Sequence, residues 1–78
     1  VLFFLHLAGV DTIGHREGAL SMQYGRGVHF VDGVLKQIME MTDRDHIDTG
    51  FIFTSDHGFS NGKSHGGRSP QETQCPFV

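Results

Sequence analysis

Two apolar stretches limit what this chain can fold into. The first, Val1–Ala8, is apolar apart from His6, and the second is Phe51–Phe53 with Thr54 and Ser55 behind it. Apolar runs without alternation are typical of strands that are buried on both faces, as in a parallel sheet. The two stretches therefore predict two buried strands in an α/β fold.

A helical pattern separates the two predicted strands. Apolar residues recur at i, i+3, i+7 and i+10, and Ser21 is a suitable N-cap before them; the four positions are Val28, Val31, Leu35 and Ile38. Segment 9–18 contains three glycines and several polar residues, so it predicts a loop. Segment 42–50 is a polar connection, and the Gly-, Ser- and Asn-rich residues 56–70 predict a second long loop.

The order strand, helix, strand predicts a right-handed crossover between parallel strands, which is a βαβ unit. Ligand sites in open α/β sheets lie beyond the carboxyl ends of the strands. We therefore expect the segments that follow Val1–Ala8 and Phe51–Ser55 to lie near one another.

The chain has little apolar material for an independent domain. It has 78 residues, 37% of them hydrophobic. The core of a chain of this length rarely contributes more than about 3–5 kcal/mol to folding stability without a disulfide, a metal ion or a partner. Its one cysteine, Cys75, excludes an internal disulfide. The net charge of -3 lacks the basic footprint of a nucleic-acid binder. We expect residues 1–78 to be a piece of a larger domain.

Aspartate and histidine residues follow both predicted strands. Asp11 and His15 come after the first strand, Asp56 and His57 come directly after the second, and His65 lies in the Gly-rich segment beyond. Asp oxygens and His nitrogens are good ligands for Zn²⁺ and similar ions. Five groups exceed one tetrahedral site, which indicates either two metal ions or one ion with additional catalytic groups. Taken singly, each motif is better explained by a turn or a solvated loop, and it is the placement of all five residues at one predicted edge that indicates a site.

The motifs resemble the metal-binding end of the alkaline phosphatase superfamily. Segment Phe51–Gly58, followed by Ser64-His65-Gly66, is similar to the branch that contains nucleotide pyrophosphatases/phosphodiesterases and the GPI ethanolamine phosphate transferases. Segment Leu5–His15 is similar to the apolar strand of the transferases that runs into Asp-x-x-Gly-His. Pro70–Thr73 is similar to a Pro-x-Glu-Thr segment of the transferases that modify the first mannose.

The resemblance implies roles for five residues. Asp11, His15 and His65 would bind one of two divalent ions, Zn²⁺ in this family, and Asp56 and His57 would bind the other. The family also uses a Thr nucleophile and a further Asp, both implied to lie upstream, so no catalytic nucleophile is assigned within residues 1–78. These residues would then be part of an alkaline-phosphatase-like catalytic domain of the sulfatase/phosphodiesterase type.

The resemblance also implies an activity. The whole protein would transfer ethanolamine phosphate from phosphatidylethanolamine to a mannose of the GPI anchor precursor, with its catalytic domain in the lumen of the endoplasmic reticulum and membrane-embedded segments elsewhere. Its partners would be these lipid substrates, and no nucleic acid. Another phosphodiesterase or nucleotide pyrophosphatase of the superfamily, a phosphoglycerate mutase, and a non-catalytic metal-binding homologue are the alternatives.

One loop departs from the transferase pattern. The transferases have a Trp or a Gly where this chain has Gly62-Lys63. Lys63 is interpreted as a solvated loop residue in preference to a phosphate contact, and Arg16 has the same two interpretations.

Overall fold

The computed structural model describes all 78 residues and contains three helices. Helix α1 spans Gly9–Glu17, α2 spans Met22–Arg44 and α3 spans Pro70–Thr73. The remaining residues form turns and irregular segments, with one isolated antiparallel bridge between Thr54 and Phe77. None of the helices combines the length and the hydropathy that a membrane crossing requires.

The predicted central helix is confirmed as α2. Ser21 caps it, since its Oγ accepts a hydrogen bond from the Tyr24 N–H at 3.1 Å. The same hydroxyl donates to the Gly18 carbonyl at 2.7 Å, which joins the end of α1 to the start of α2. The helix continues through Arg44, into the segment predicted as a polar connection.

The prediction of a loop at residues 9–18 is wrong, because most of this segment forms α1. Asp11 and His15, which were expected on a loop, lie one turn apart on the same helix face. Gly18 ends the helix with φ 90°, a left-handed value, and its N–H donates to the Gly14 carbonyl at 2.9 Å. Two of the glycines that favoured a loop thus have other roles, since Gly14 packs closely against Phe59 and Gly18 ends the helix.

The predicted parallel βαβ unit is not confirmed. Residues 1–8 form no ladder, and Phe53 instead exchanges two backbone hydrogen bonds of 2.8 and 2.9 Å with Val78. A central strand needs hydrogen-bonding neighbours on both sides. The chain contains no further strand to provide them, and the side chains of Val1–Phe4 are exposed.

Phe59 is the one buried hydrophobic side chain. Its ring lies against Gly14 of α1, where a Cβ would come within 2.8 Å of Cζ, and near Tyr24 of α2, with ring centroids 6.0 Å apart. The backbone N–H groups of Gly58 and Phe59 donate to carbonyls of α3 at 2.7 and 2.9 Å. This small core joins all three helices to the segment that carries His57.

Candidate metal centre

Asp11 lies at the centre of a histidine cluster. Its Oδ2 is 3.5 Å from His15 Nε2, while its Oδ1 is 3.2 Å from His65 Nε2 and 3.7 Å from His57 Nε2. Asp11 Oδ1 is buried and makes no hydrogen bond. A buried carboxylate oxygen without a partner costs free energy, so this atom fits a bound cation among the three imidazoles.

Three side chains form a compact donor set. The Nε2 atoms of His15 and His65 are 3.1 Å apart, and one donor atom from each of Asp11, His15 and His65 lies within 4.8 Å of the others. One carboxylate oxygen with two imidazole nitrogens is a donor set that Zn²⁺ and related divalent ions accept. These residues could therefore hold a metal ion between α1 and the loop that carries His65.

Backbone carbonyls orient two of the imidazole rings. His15 Nδ1 lies 3.2 Å from the Lys63 carbonyl oxygen, and His57 Nδ1 lies 2.7 Å from the Gly58 carbonyl oxygen. Because a carbonyl only accepts, Nδ1 is the nitrogen that carries the proton in both rings. The lone pair of each Nε2 is then left on the side of Asp11, as metal binding requires.

Ring packing fixes the remaining positions. The His57 and His65 rings stack with centroids 3.7 Å apart and an interplanar angle of 18°. Phe59 meets His15 edge-on at 5.1 Å and His65 at 5.5 Å. The single buried aromatic ring therefore contacts one histidine from α1 and one from the loop, and it sets the distance between them.

Asp56 lies at the rim of the cluster. Its side chain is 71% exposed, compared with 40% for Asp11. Its Oδ1 accepts a hydrogen bond from the His57 N–H at 3.0 Å, and its Oδ2 lies 3.7 Å from His57 Nε2. The structure thus brings three of the other four predicted residues around Asp11, while Asp56 contacts only its neighbour His57.

The loop behind His65 is held by Glu72, a residue that was not predicted as part of the site. Glu72 Oε1 accepts from the Gly67 N–H at 2.9 Å, and Oε2 accepts from the Ser69 hydroxyl and, at 3.3 Å, from the Ser69 N–H. The Ser69 hydroxyl first, and the Gly67 amide next, lower the pKa of Glu72 below its ordinary value of 4.5. The Ser-x-x-Glu spacing of a capping box is the sequence signal that indicates this role.

Phe59 and Lys63 are two further residues that sequence reasoning missed as parts of the site. Phe59 sits within a Gly- and Ser-rich segment without apolar periodicity, so nothing local indicates its burial. Lys63 is exposed, as predicted, but its ammonium donates a hydrogen bond to the Arg16 carbonyl at 3.1 Å. The contact of Arg16 with this loop is thus through its backbone.

The sequence of this chain is related to those of known proteins. Residues 1–70 match the family described as Type I phosphodiesterase / nucleotide pyrophosphatase, and the chain belongs to that family. This membership confirms the placement in the alkaline phosphatase superfamily. No solved structure matches the chain.

Within this family, the similar proteins include several of one name. The chain is 44% identical over 81 residues to GPI ethanolamine phosphate transferase 1 of Mus musculus and 42% identical over 81 residues to the human protein of that name. It is 42% identical over 80 residues to the protein of that name from Gibberella zeae. Each comparison covers 100% of this chain but only 8–9% of the relative, so the chain spans less than a tenth of the length of these proteins.

Proposed function

We propose that residues 1–78 are the metal-binding part of the catalytic domain of a GPI ethanolamine phosphate transferase. The whole protein would move ethanolamine phosphate from phosphatidylethanolamine to a mannose of the GPI precursor. One observation carries the proposal: Asp11, His15 and His65 meet around an unpartnered carboxylate oxygen, in a chain 44% identical to a transferase of that name.

We propose two divalent ions, both Zn²⁺, at this site. Asp11, His15 and His65 would hold one ion, and Asp56 and His57 would hold the other. When bound, such a pair supplies Lewis-acid stabilisation of phosphoryl oxygens and a lowered pKa for an attacking hydroxyl. The short distances from His57 to both Asp11 and His65 support a shared edge between the two ligand sets.

The residues of this chain orient ligands and balance charge in this proposal. The two aspartates offset part of the positive charge of the ions, and the carbonyls of Gly58 and Lys63 keep two imidazoles turned towards the site. Thr12 and Thr54 are engaged elsewhere, because their hydroxyls donate to the carbonyls of Ala8 and Pro76 at 3.4 and 2.9 Å. In line with the family resemblance, we assign the Thr nucleophile and the remaining Asp ligand to parts of the protein outside these residues.

The wider setting of the domain belongs to the same proposal. Val1–Ala8 and Phe51–Ser55 would be strands of a parallel sheet once the longer protein supplies their neighbours. The exposed apolar side chains of both segments support this assignment. The catalytic domain would face the lumen of the endoplasmic reticulum, with membrane-embedded segments elsewhere in the protein.

The activity is tested by His65→Ala and Asp56→Ala in the intact protein. We expect each variant to lose transferase activity by about 100-fold or more, because even the loss of a group behind a metal ligand costs about 10–100-fold. The measurements are transfer of labelled ethanolamine phosphate to the GPI mannose and the zinc content by mass spectrometry. His29→Ala, an exposed histidine on α2, is the matched control and should match wild type. Unchanged transfer activity and zinc content in His65→Ala would contradict the assignment of His65 as a metal ligand.

The family description favours a second candidate, cleavage of a nucleotide pyrophosphate or phosphodiester. The same ligand set would serve either reaction, so the substrate decides between them. Purified intact protein should transfer ethanolamine phosphate from phosphatidylethanolamine to a mannosyl acceptor, with release of diacylglycerol, and leave a nucleotide phosphodiester intact. The reverse preference would favour the second candidate, and zinc binding without either activity would indicate a non-catalytic homologue.

A further inference from the structure

Lys63 occupies an unusual position for a lysine. Its φ of 57° lies in the left-handed region, which residues other than glycine rarely adopt. The turn around it is closed, since Ser60 donates to the Ser64 carbonyl from its N–H at 2.9 Å and from its hydroxyl at 2.7 Å. A lysine held in this conformation indicates that its side chain or carbonyl has a structural task.

Both polar ends of Lys63 contact the last turn of α1. Its carbonyl oxygen lies 3.2 Å from His15 Nδ1, and its ammonium donates to the Arg16 carbonyl at 3.1 Å. Its aliphatic stem covers Gly18, where a Cβ would lie 3.5 Å from Lys63 Cγ. The Arg16 carbonyl belongs to the helix end, where carbonyls lack helical partners and a cation is favoured.

The two contacts reinforce one another. The ammonium fixes Lys63 to the residue next to His15, so the carbonyl that orients the imidazole is anchored to the same helix turn as the imidazole itself. Without the ammonium, the turn 60–64 alone would determine where that carbonyl lies. A glycine at this position would adopt the backbone conformation more easily but could not make the second contact.

We propose that Lys63 is a positioning residue that clamps the loop 58–65 onto the end of α1 and so fixes His15 for metal binding. This inference rests on the proposed metal function and adds a residue that donates no ligand atom. It also explains why a lysine lies in this loop without requiring that its ammonium binds phosphate.

The test uses four variants in the intact protein, of which His15→Ala removes a proposed ligand. Lys63→Met removes the ammonium but keeps a stem over Gly18, and Lys63→Arg keeps a donor for the Arg16 carbonyl. Lys36→Met is the matched control, because Lys36 is exposed on α2 and its Nζ lies 3.9 Å from Glu40. Zinc affinity is measured by competition with a chelator.

We expect zinc affinity to fall about 10-fold in Lys63→Met, the lower end of the range for a group behind a ligand. Lys63→Arg should stay within about 3-fold of wild type, since a guanidinium can make the same bond. A second readout is the reactivity of the His15 imidazole towards diethyl pyrocarbonate in the metal-free protein, relative to His29. It should rise in Lys63→Met and stay unchanged in Lys36→Met.

The outcomes separate the two proposals. Wild-type zinc affinity in Lys63→Met, alongside zinc loss in His15→Ala, would overturn the clamp and leave the metal function standing. Full zinc content in His15→Ala would overturn the metal assignment and the clamp with it. An equal loss of affinity in Lys63→Met and Lys63→Arg would also contradict the clamp, because the donor to Arg16 would then be irrelevant.

Discussion

At the scale of single residues, the candidate centre is a carboxylate surrounded by three oriented imidazoles. Asp11 Oδ1 has no hydrogen-bond partner, while backbone carbonyls accept hydrogen bonds from the Nδ1–H groups of His15 and His57. A cation would therefore meet donor atoms that are already turned towards it, with little reorganisation of these side chains. Gly14 and Glu72 support the residues of this centre without binding the ion, and a substitution at each leads to a prediction.

Gly14→Ala should disturb the site without touching a ligand. The new Cβ would lie 2.8 Å from Phe59 Cζ, so Phe59 must move, and it contacts both His15 and His65. We expect a loss of about 1–3 kcal/mol in the free energy of unfolding, which is typical of overpacking. Weaker zinc binding should accompany it.

The control for this substitution is on the same helix. A Cβ on Gly9 would meet nothing within 4 Å, so Gly9→Ala should leave zinc affinity unchanged. Thermal unfolding and chelator competition in the intact protein provide the comparison. Equal behaviour of the Gly14 and Gly9 variants would show that the Phe59 contact is unimportant.

Glu72→Gln should cost stability in a pH-dependent way. Hydrogen bonds from Ser69 and Gly67 lower the pKa of Glu72, so its ionised form stabilises the folded state. That contribution is fully present above the ordinary value of 4.5 and disappears as the pH falls through the lowered pKa. We expect metal-free wild type to be more stable than the variant at neutral pH, with the difference vanishing in acid. A difference that persists or grows in acid would contradict this account.

At the scale of helices, sequence periodicity predicted α2 but missed α1. Apolar spacing and Ser21 are local signals, and both survive in the structure. For α1, the three glycines of segment 9–18 outweighed the Asp11–His15 spacing, although i and i+4 residues share a helix face. The two strands stay a prediction, because a local apolar pattern does not specify hydrogen-bonding neighbours and residues 1–8 form no ladder.

The site shows the same division between local and distant information. The residue types and motifs of the sequence grouped five residues, and the structure brings all of them but Asp56 together; the five are Asp11, His15, Asp56, His57 and His65. The contacts of Phe59 and Lys63 join positions far apart along the chain, so no periodicity or spacing indicates them. Only the tertiary structure shows these two contacts.

Ser21→Ala should weaken the start of α2. The variant removes the acceptor for the Tyr24 N–H and the donor to the Gly18 carbonyl, so we expect a loss of about 1 kcal/mol in the free energy of unfolding. Ser21→Asp keeps an N-cap acceptor and should retain most of the stability. Chemical denaturation of the intact protein measures both, and a neutral effect of Ser21→Ala would contradict the importance of this cap.

At the scale of the whole molecule, the chain exposes more surface than a closed domain does. Its accessible surface is 6470 Å², whereas a compact monomer of this mass exposes about 4,700 Å². Its radius of gyration is 14.4 Å, compared with about 11.5 Å for a compact domain of this length. The excess surface includes the side chains of Val1–Phe4 and Ile52, which belong to the two segments that we assign to a sheet.

The isolated 78 residues should therefore be poorly folded and inactive. Only Phe59 is buried among the hydrophobic side chains, which is too little apolar burial to offset the conformational entropy of ordering the chain. Scanning calorimetry of the metal-free peptide should show no cooperative transition. A sharp transition under those conditions would mean that these residues are a self-sufficient folding unit.

The position of the histidines along the chain has a thermodynamic consequence. His15 and His65 are 50 residues apart, and α2 lies wholly between them. An ion bound by both would act as a reversible cross-link around that helix, and closing a ring of this size in the unfolded chain corresponds to about 4 kcal/mol in the chain-entropy description. Chelation of the ion would then loosen α2, which carries no ligand, so that the availability of the ion would set the fraction of molecules in which this helix is folded.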